Sequence, residues 1–313
     1  MPMEKSLRSQ QSLNDVLSIT PVGEALADFG TVMTETLDAL LPYPTGPESG
    51  LFEAMRYSAL ASGKFLRPYL LCTSAIMFDV PRRQYLRAGA AVEMVHSYSL
   101  IHDDLPAMDD DNMRRGRPAC HKAFDEATAI LAGDALLTLS FEVLAGAETH
   151  PDAQVRSDLV AALAARSGGA GMVGGQVIDL ASEHADVDAD LIARLETMKT
   201  GALVAFSTAA GGLLGQAGGD AVKTLETFGF ELGLAFQITD DLLDVEGDED
   251  DLGKKVGKDA GAGKATFVSA LGVDGARGKA RQVTDRALSR LDTFGARADE
   301  LRSAAEFVLA RRS

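Results

Sequence analysis

Cysteine is scarce in this sequence. Cys72 and Cys120 are the only two in 313 residues, neither belongs to a C-x-x-C pair, and no second metal-type ligand set stands beside either one, so a disulfide framework and a thiolate metal site are excluded. Reduced thiols in a cytoplasmic protein are expected. Basic residues are also short, 30 Lys and Arg against 46 Asp and Glu for a formal net charge of −16. Such a surface repels phosphate backbones, which excludes a general nucleic-acid binder and requires any anionic ligand to meet a local basic cluster. Long apolar runs are missing as well. The best, TAILAGDALLTLSFEVLAGA, is interrupted by Asp134 and Glu142, so no transmembrane segment is expected. The start, MPMEKSLRSQQSLNDV, has no unbroken apolar stretch of the kind a secretory signal needs. With 46% hydrophobic and 24% charged residues, a soluble globular protein with a core of its own is expected.

Proline is absent from Asp152 to the C-terminus, and Ala, Leu and Glu recur there at helical spacing. Leu191, Leu195 and Met198 mark one apolar stripe, and Leu232, Ala235, Phe236, Leu242 and Leu243 populate another region at three-to-four spacing. No convincing strand is found. Breaks are expected at residues 41–50, around His150 and Pro151, at 215–220 and at 247–263, where Gly, Pro and Asp gather. All are short, so the expectation is one all-α domain over residues 1–313 with about ten or more helices.

Two acidic clusters carry the chemistry. The first, DDLPAMDDD, supplies Asp103, Asp104, Asp109, Asp110 and Asp111 and runs into Arg114 and Arg115; the second, DDLLD, supplies Asp240, Asp241 and Asp244. On a helix Asp240 and Asp244 share a face, with Gln237 one turn earlier. Asp103 and Asp109 would stand about 120° apart on an ideal helix, but Pro106 disfavours helical geometry at Leu105, so the chain is expected to bend and return Asp109 towards Asp103. Clustered carboxylates repel one another unless a cation neutralises them. A purely carboxylate donor set suits a hard ion such as Mg²⁺, which typically shares its shell between carboxylates, substrate phosphates and water. Neither cluster has the alternating ligands, central Gly and closing Glu of an EF-hand. A single acidic run is more often a solvated surface; two of them point to a metal diphosphate.

Cations stand in compact groups against this acidic background: Lys64 and Arg67 in SGKFLRP, Arg114 and Arg115 after the first cluster, Lys199 in MKTG, and Lys254, Lys258 and Lys264 in LGKKVGKDAGAGKAT. Arg suits bidentate phosphate recognition and Lys supplies a compact charge. The last segment is not a nucleotide P-loop, because Lys258 stands where its first Gly belongs and Ala265 replaces its Ser or Thr. His96, seven residues before Asp103, lies on nearly the same helix face and has the chemistry to hydrogen-bond a phosphate or to serve as a core residue. No Ser-His-Asp, Cys-His or H-E-x-x-H arrangement stands out.

In order along the chain, GKFLRP, VHSYSLIHDDLPAMDDDNMRRGRPACH, AILAGDALL, GMVGGQVIDL, KTGAL, LAFQITDDLLDVEGD and LGKKVGKDAGAGKAT resemble the trans-polyprenyl diphosphate synthases, and among them bacterial farnesyl diphosphate synthases. The resemblance implies an all-α isoprenoid-synthase fold, usually a homodimer, with both aspartate motifs facing a central cavity and three Mg²⁺ ions bridging them through an allylic diphosphate. By motif position it makes Asp103, Asp109, Asp240 and Asp244 prime metal ligands, with Asp104 and Asp241 as supporting members of the metal set. It assigns isopentenyl diphosphate to Lys64, Arg67, His96 and Arg115, and the allylic diphosphate to Arg114, Lys199, Thr200, Gln237, Lys254 and Lys264, with Lys199 also in the catalytic set. Tyr98, five residues before Asp103, matches the aromatic residue that limits product length in farnesyl-forming relatives. Three positions depart from the pattern: Ser62 and Phe65 where relatives read Gly and Arg, and Val268 where proline is common.

The implied reaction joins isopentenyl diphosphate to dimethylallyl or geranyl diphosphate to give farnesyl diphosphate. Related alternatives are a geranyl or geranylgeranyl diphosphate synthase, a terpene cyclase, which has less need of Lys64, Arg67 and Arg115, and a noncatalytic partner subunit, which usually lacks one of the two aspartate motifs present here.

Overall fold

The computed structural model of the chain describes residues 22–43, 45–182, 187–246 and 266–309. Helices dominate: α1 (Val22–Leu40), α2 (Ser49–Ala59), α3 (Leu66–Ile76), α4 (Arg82–Asp103), the short α5 (Cys120–Ala123), α6 (Glu126–Ala145), α7 (Ala153–Ser167), α8 (Met172–Ser182), α9 (Ala189–Glu196), α10 (Ala202–Leu214), α11 (Gly219–Glu246), α12 (Phe267–Arg290) and α13 (Asp299–Leu309). A π-helical turn, Thr197–Gly201, joins α9 to α10, and a 3₁₀ segment, Leu291–Ala298, joins α12 to α13. The expected breaks at 41–50, 150–151 and 215–220 separate α1 from α2, α6 from α7 and α10 from α11; the one at 247–263 lies outside the described residues.

Aspartates start several helices by accepting backbone N–H groups that have no partner in the first turn. Asp125 caps α6 through Thr128 N at 2.9 Å, Asp152 caps α7 through Gln154 N at 2.8 Å, and Asp188 caps α9 through Leu191 N at 2.8 Å. Part of the acidic excess is therefore structural. Thr266 and Ser269 form a reciprocal capping box that begins α12, which sets that helix start without the proline common in relatives; Val268 packs on the apolar cluster beneath.

The helix α10 is buried on almost every side, as an apolar sequence without a polar face demands, and α3, α7 and α11 pack around it. A large apolar cluster joins α1 to α7 with α10, the first half of α11 and the 3₁₀ segment, while a smaller one joins α9, the second half of α11 and α12. Removing a large interior side chain such as Phe206 or Leu136 would cost about 3–5 kcal/mol at sites of this kind. Among the described helices, α6 is long and apolar enough to cross a membrane by length and composition alone. It nevertheless carries Asp134 and Glu142, and Ala129, Ala132, Gly133, Leu136, Val143 and Leu144 are buried inside the protein.

One expectation is corrected. A two-stranded hairpin, β1 (Met113–Arg114) and β2 (Arg117–Pro118), pairs Arg114 with Arg117 in antiparallel register. Its strands are two residues each, too short for side-chain alternation to register in the sequence. Arg115 and Gly116 form its tip with φ of 51° and 77°, the two positive values that a primed hairpin turn requires.

Candidate active site

The first aspartate cluster sits where α4 ends. Leu105 and Pro106 interrupt the helix, Met108 N donates to Leu105 O at 2.9 Å, and Asp109 N donates to Asp103 O at 2.9 Å. The chain thus turns back as Pro106 implied. Burial pushes the Asp103 carboxyl up to about 6; Lys199 opposes the shift and Asp109 adds to it. Asp104 points the other way. Only 2% exposed, it accepts a forked set of bonds from Arg114, with Nε at 2.9 and 3.2 Å from its two oxygens and Nη2 completing the pair. Arg114 also lies 3.5 Å from Asp111. Its sequence-expected role towards a diphosphate is therefore shared with a structural one, anchoring the hairpin to the base of the acidic turn.

A second charged group lies about two to three turns earlier on α4. Arg67 Nη1 donates to His96 Nε2 at 3.3 Å; because a guanidinium only donates, that bond leaves the His96 proton on Nδ1. Burial and the neighbouring Arg67 and Arg115 charges hold His96 well below its ordinary pKa, hence neutral. Arg115 Nη1 donates to Ala61 O at 3.3 Å and Nη2 lies 3.7 Å from Glu93, which is 1% exposed. Arg67 Nε has no hydrogen-bond partner although it is buried. Lys64 is exposed. The structure thus brings Arg67, His96 and Arg115 together, with Lys64 nearby in sequence, and adds Glu93. Phe65 does not enter the pocket. It is 4% exposed, belongs to the main apolar cluster and holds a φ of 44° at the start of α3, so the residue that replaces the family's Arg serves the core.

The second cluster lies on α11, and the π turn connects it to the first. Lys199, on that turn, pairs with Asp179 of α8. Burial alone would weaken the Lys199 ammonium, but Asp179, Asp103 and Asp109 outweigh it and raise its pKa. The helix α8 reaches the turn because Gly175 lacks a side chain: a Cβ there would stand 2.2 Å from Lys199 N. One residue on, Thr200 Oγ1 lies 3.4 Å from Gln237 Oε1 and Gln237 Nε2 lies 3.4 Å from Asp241 Oδ1. Gln237 therefore meets Asp241, four residues on, rather than the Asp240–Asp244 face that spacing suggested. Asp241, 3% exposed, also accepts from Phe267 N at 2.8 Å and so ties α11 to the start of α12. Asp240 is exposed and Asp244 half-buried. Lys254 and Lys264 lie outside the described residues.

Whether these acids fit a divalent ion is a question of donor chemistry and spacing. All the donors are carboxylates, and Asp103 and Asp109 share one turn. Among the described residues no three His, Cys, Asp or Glu side chains converge closely enough to form a cage. Carboxylates alone are the donor chemistry that suits a hard ion completed by phosphate oxygens and water. Tyr98 is 6% exposed and stacks edge-on to His102 at 5.7 Å; burial and the Asp103 charge push its phenol up to about 12. It is a neutral side chain on the same helix as Asp103.

Two residues of this site had no assignment from the sequence, Glu93 and Asp179. Glu93 carried a usable signal, since it precedes His96 by three residues on one helix. Asp179 carried none, because its partner is on another element.

The polyprenyl synthetase family profile matches residues 48–305. The chain is 43% identical to the farnesyl diphosphate synthase of Escherichia coli over 279 residues, 87% of this chain and 92% of that protein. Among solved structures, an FPP/GFPP synthase from Zymomonas mobilis superposes with a TM-score of 0.84 at 42% identity, covering 96% of this chain and 100% of that one. A geranyltransferase from Helicobacter pylori, solved with magnesium and isoprenyl diphosphate, gives a TM-score of 0.77 at 30% identity over 90% of this chain and 95% of that one.

Proposed function

The chain belongs to the polyprenyl synthetase family and is a trans-prenyltransferase, and on that premise we propose that it condenses isopentenyl diphosphate with dimethylallyl and then geranyl diphosphate, releasing farnesyl diphosphate. The observation that carries this reading is the pair of chemically distinct side-chain groups along α4: an acidic one at Asp103 and a cationic one at Arg67, His96 and Arg115. One suits a metal diphosphate and the other a free diphosphate, as a reaction between two diphosphates requires. We take residues 1–313 as one catalytic domain.

Asp103 and Asp109 from one side, and Asp240 and Asp244 from the other, would hold Mg²⁺, three ions in the proposed complex. When bound, Mg²⁺ neutralises the diphosphate and makes it a better leaving group. Asp104 and Asp241 support these ligands from beneath. Lys199 and Arg114 place positive charge, and Thr200 and Gln237 place polar groups, where the allylic diphosphate departs; Lys254 and Lys264 extend that set by motif position. The allylic C–O bond breaks with both electrons going to the diphosphate oxygen. The isopentenyl double bond then supplies the pair for the new C–C bond, and loss of a proton to the released diphosphate restores a double bond. Lys64, Arg67, His96 and Arg115 hold the isopentenyl diphosphate throughout, with neutral His96 donating from Nδ1. Tyr98 closes the cavity beneath Asp103 and stops growth at fifteen carbons.

A homodimer in the cytoplasm is the proposed assembly. It is supported by the outer face of α6, where Ile130 and Leu131 are 44% and 56% exposed and Leu137 and Phe141 continue the stripe in partial burial, an apolar surface that a second copy would cover. The test of the function is product analysis after incubation with isopentenyl and dimethylallyl diphosphates and Mg²⁺. A fifteen-carbon diphosphate is expected. A twenty-carbon or ten-carbon product would replace the farnesyl assignment, and a hydrocarbon made from an allylic diphosphate alone would overturn the condensation itself.

A further inference from the structure

The cationic pocket contains an acid that its proposed ligand does not explain. Glu93 is 1% exposed, its Oε1 has no hydrogen-bond partner, and it faces the guanidinium of Arg115 at 3.7 Å. An interior carboxylate with an unsatisfied oxygen costs free energy unless opposite charge offsets it. Here Arg115 and Arg67 act against that cost, but burial outweighs them and lifts the Glu93 carboxyl to about 7. The reverse also holds: without Glu93, Arg67 and Arg115 would lie near one another with no acid to offset them, Arg115 opposing the charge on Arg67.

Arg115 is constrained from four directions. Its backbone occupies the left-handed region with φ 51°, a conformation that costs a non-glycine residue about 1–3 kcal/mol and persists where the surroundings impose it. Ala61 O receives its Nη1 at 3.3 Å. The Gly63 backbone packs against its head so closely that a Cβ would lie 2.7 Å from Nη1. Glu93 holds the remaining side. Arg67, in turn, is tied to His96 through Nη1 and keeps a buried, unpartnered Nε. One carboxylate beside Arg115, with Arg67 close by, leaves net positive charge and an unused donor, an arrangement prepared for an anion.

We propose that Glu93 is a positioning residue for the second substrate: its carboxylate holds the Arg115 guanidinium in the orientation that, beside Arg67, receives the diphosphate of isopentenyl diphosphate. The inference rests on the reading that these two arginines bind that substrate. It also makes a choice that electrostatics alone would make differently. If Glu93 merely diluted the positive charge around Arg67 and Arg115, removing its charge would tighten diphosphate binding; if it orients Arg115, removal weakens it.

Steady-state kinetics of the full chain decide between these. At pH 8, above the raised Glu93 value of about 7, Glu93→Gln keeps the shape and removes the charge. The KM for isopentenyl diphosphate is expected to rise about tenfold or more, as for neutralising one member of a close charge pair, while the KM for the allylic diphosphate and kcat change by no more than about threefold. Arg115→Ala serves as the reference and raises the same KM. An unchanged or lower KM for isopentenyl diphosphate in Glu93→Gln, beside a raised one in Arg115→Ala, overturns the positioning role and leaves the pocket assignment standing. Equal rises for both substrates also overturn it, since a general structural defect would produce them. An unchanged KM in Arg115→Ala overturns the pocket assignment and the inference with it. Should Glu93→Gln fail to fold, Glu93→Asp, which keeps the charge but retracts it by one methylene, carries the test with the same split between the two substrates expected.

Discussion

The two aspartate motifs reach one division of labour by different local means. In each, the second acid of the opening pair is interior, Asp104 at 2% exposure and Asp241 at 3%, while its companions are partly or fully open to solvent. Asp104 braces a hairpin through the charged fork of Arg114. Asp241 braces the next helix through a backbone N–H and a side-chain amide. The first motif must bend at Pro106 to align its outer acids; the second gets that alignment from four-residue helical spacing. In both motifs the inner acid holds structure, and the outer acids are the more exposed ones.

The largest effects are expected from the outer acids. Asp103→Ala or Asp244→Ala should lower kcat by about a thousandfold, corresponding to about 4 kcal/mol of lost transition-state stabilisation, with the fold retained by circular dichroism. A near-wild-type rate in both would break the comparison at once. The inner acids should separate by stability. Asp104→Asn strands Arg114, and a loss of about 1–3 kcal/mol is expected in denaturant unfolding after allowing for the partial exposure of that arginine. Asp241→Asn keeps an acceptor for Phe267 N, so a loss nearer 1 kcal/mol is expected. The reverse order would show that the interior bracing is not as described.

Titration sharpens the contrast between outer and inner acids. The folded-state pKa of Asp103, about 6, lies above the ordinary carboxylate value, so the folded protein takes up a proton more readily than the unfolded chain. The stability associated with that proton is present at low pH and is lost as pH rises through about 6. Asp103→Asn should consequently raise the metal-free Tm at pH 7.5 by a few degrees, up to about 3 kcal/mol in stability, while abolishing turnover. In the wild type, the Mg²⁺ concentration for half-maximal activity should climb as pH falls through about 6, because metal and proton compete for the same oxygens. A flat dependence between pH 5 and 7 would contradict it. The smallest effect on rate is expected at Tyr98→Ala, which should change product length: chain-length analysis should show diphosphates beyond fifteen carbons at a kcat within about tenfold of wild type. An unchanged distribution would remove Tyr98 as the cavity floor.

The helical class and three of the breaks were legible because Gly and Pro punctuation and three-to-four apolar spacing are local signals. The bend at Pro106 was legible for the same reason. What escaped was decided by neighbours. No spacing rule distinguishes Asp104 from Asp103, since which of two adjacent acids turns inward depends on what packs beside the helix. Asp179 meets Lys199 across two elements, and only the glycine at 175 hints at so close a crossing. Phe65 looked like a gap in a basic motif; its burial beside Gly30 shows that the position can serve the core because Lys64 and Arg67 flank it. The hairpin at 113–118 is too short to announce itself, yet it supplies the strained Arg115.

The division between outer and inner acids is open to direct measurement by following Mn²⁺ uptake, through its paramagnetic resonance, in the presence of an unreactive allylic thiolodiphosphate. Wild type, Asp104→Asn and Asp241→Asn should take up the ion together with the analogue, whereas Asp103→Asn and Asp244→Asn should not. Uptake that survives in the outer variants and disappears in the inner ones would contradict the assignment of the metal ligands.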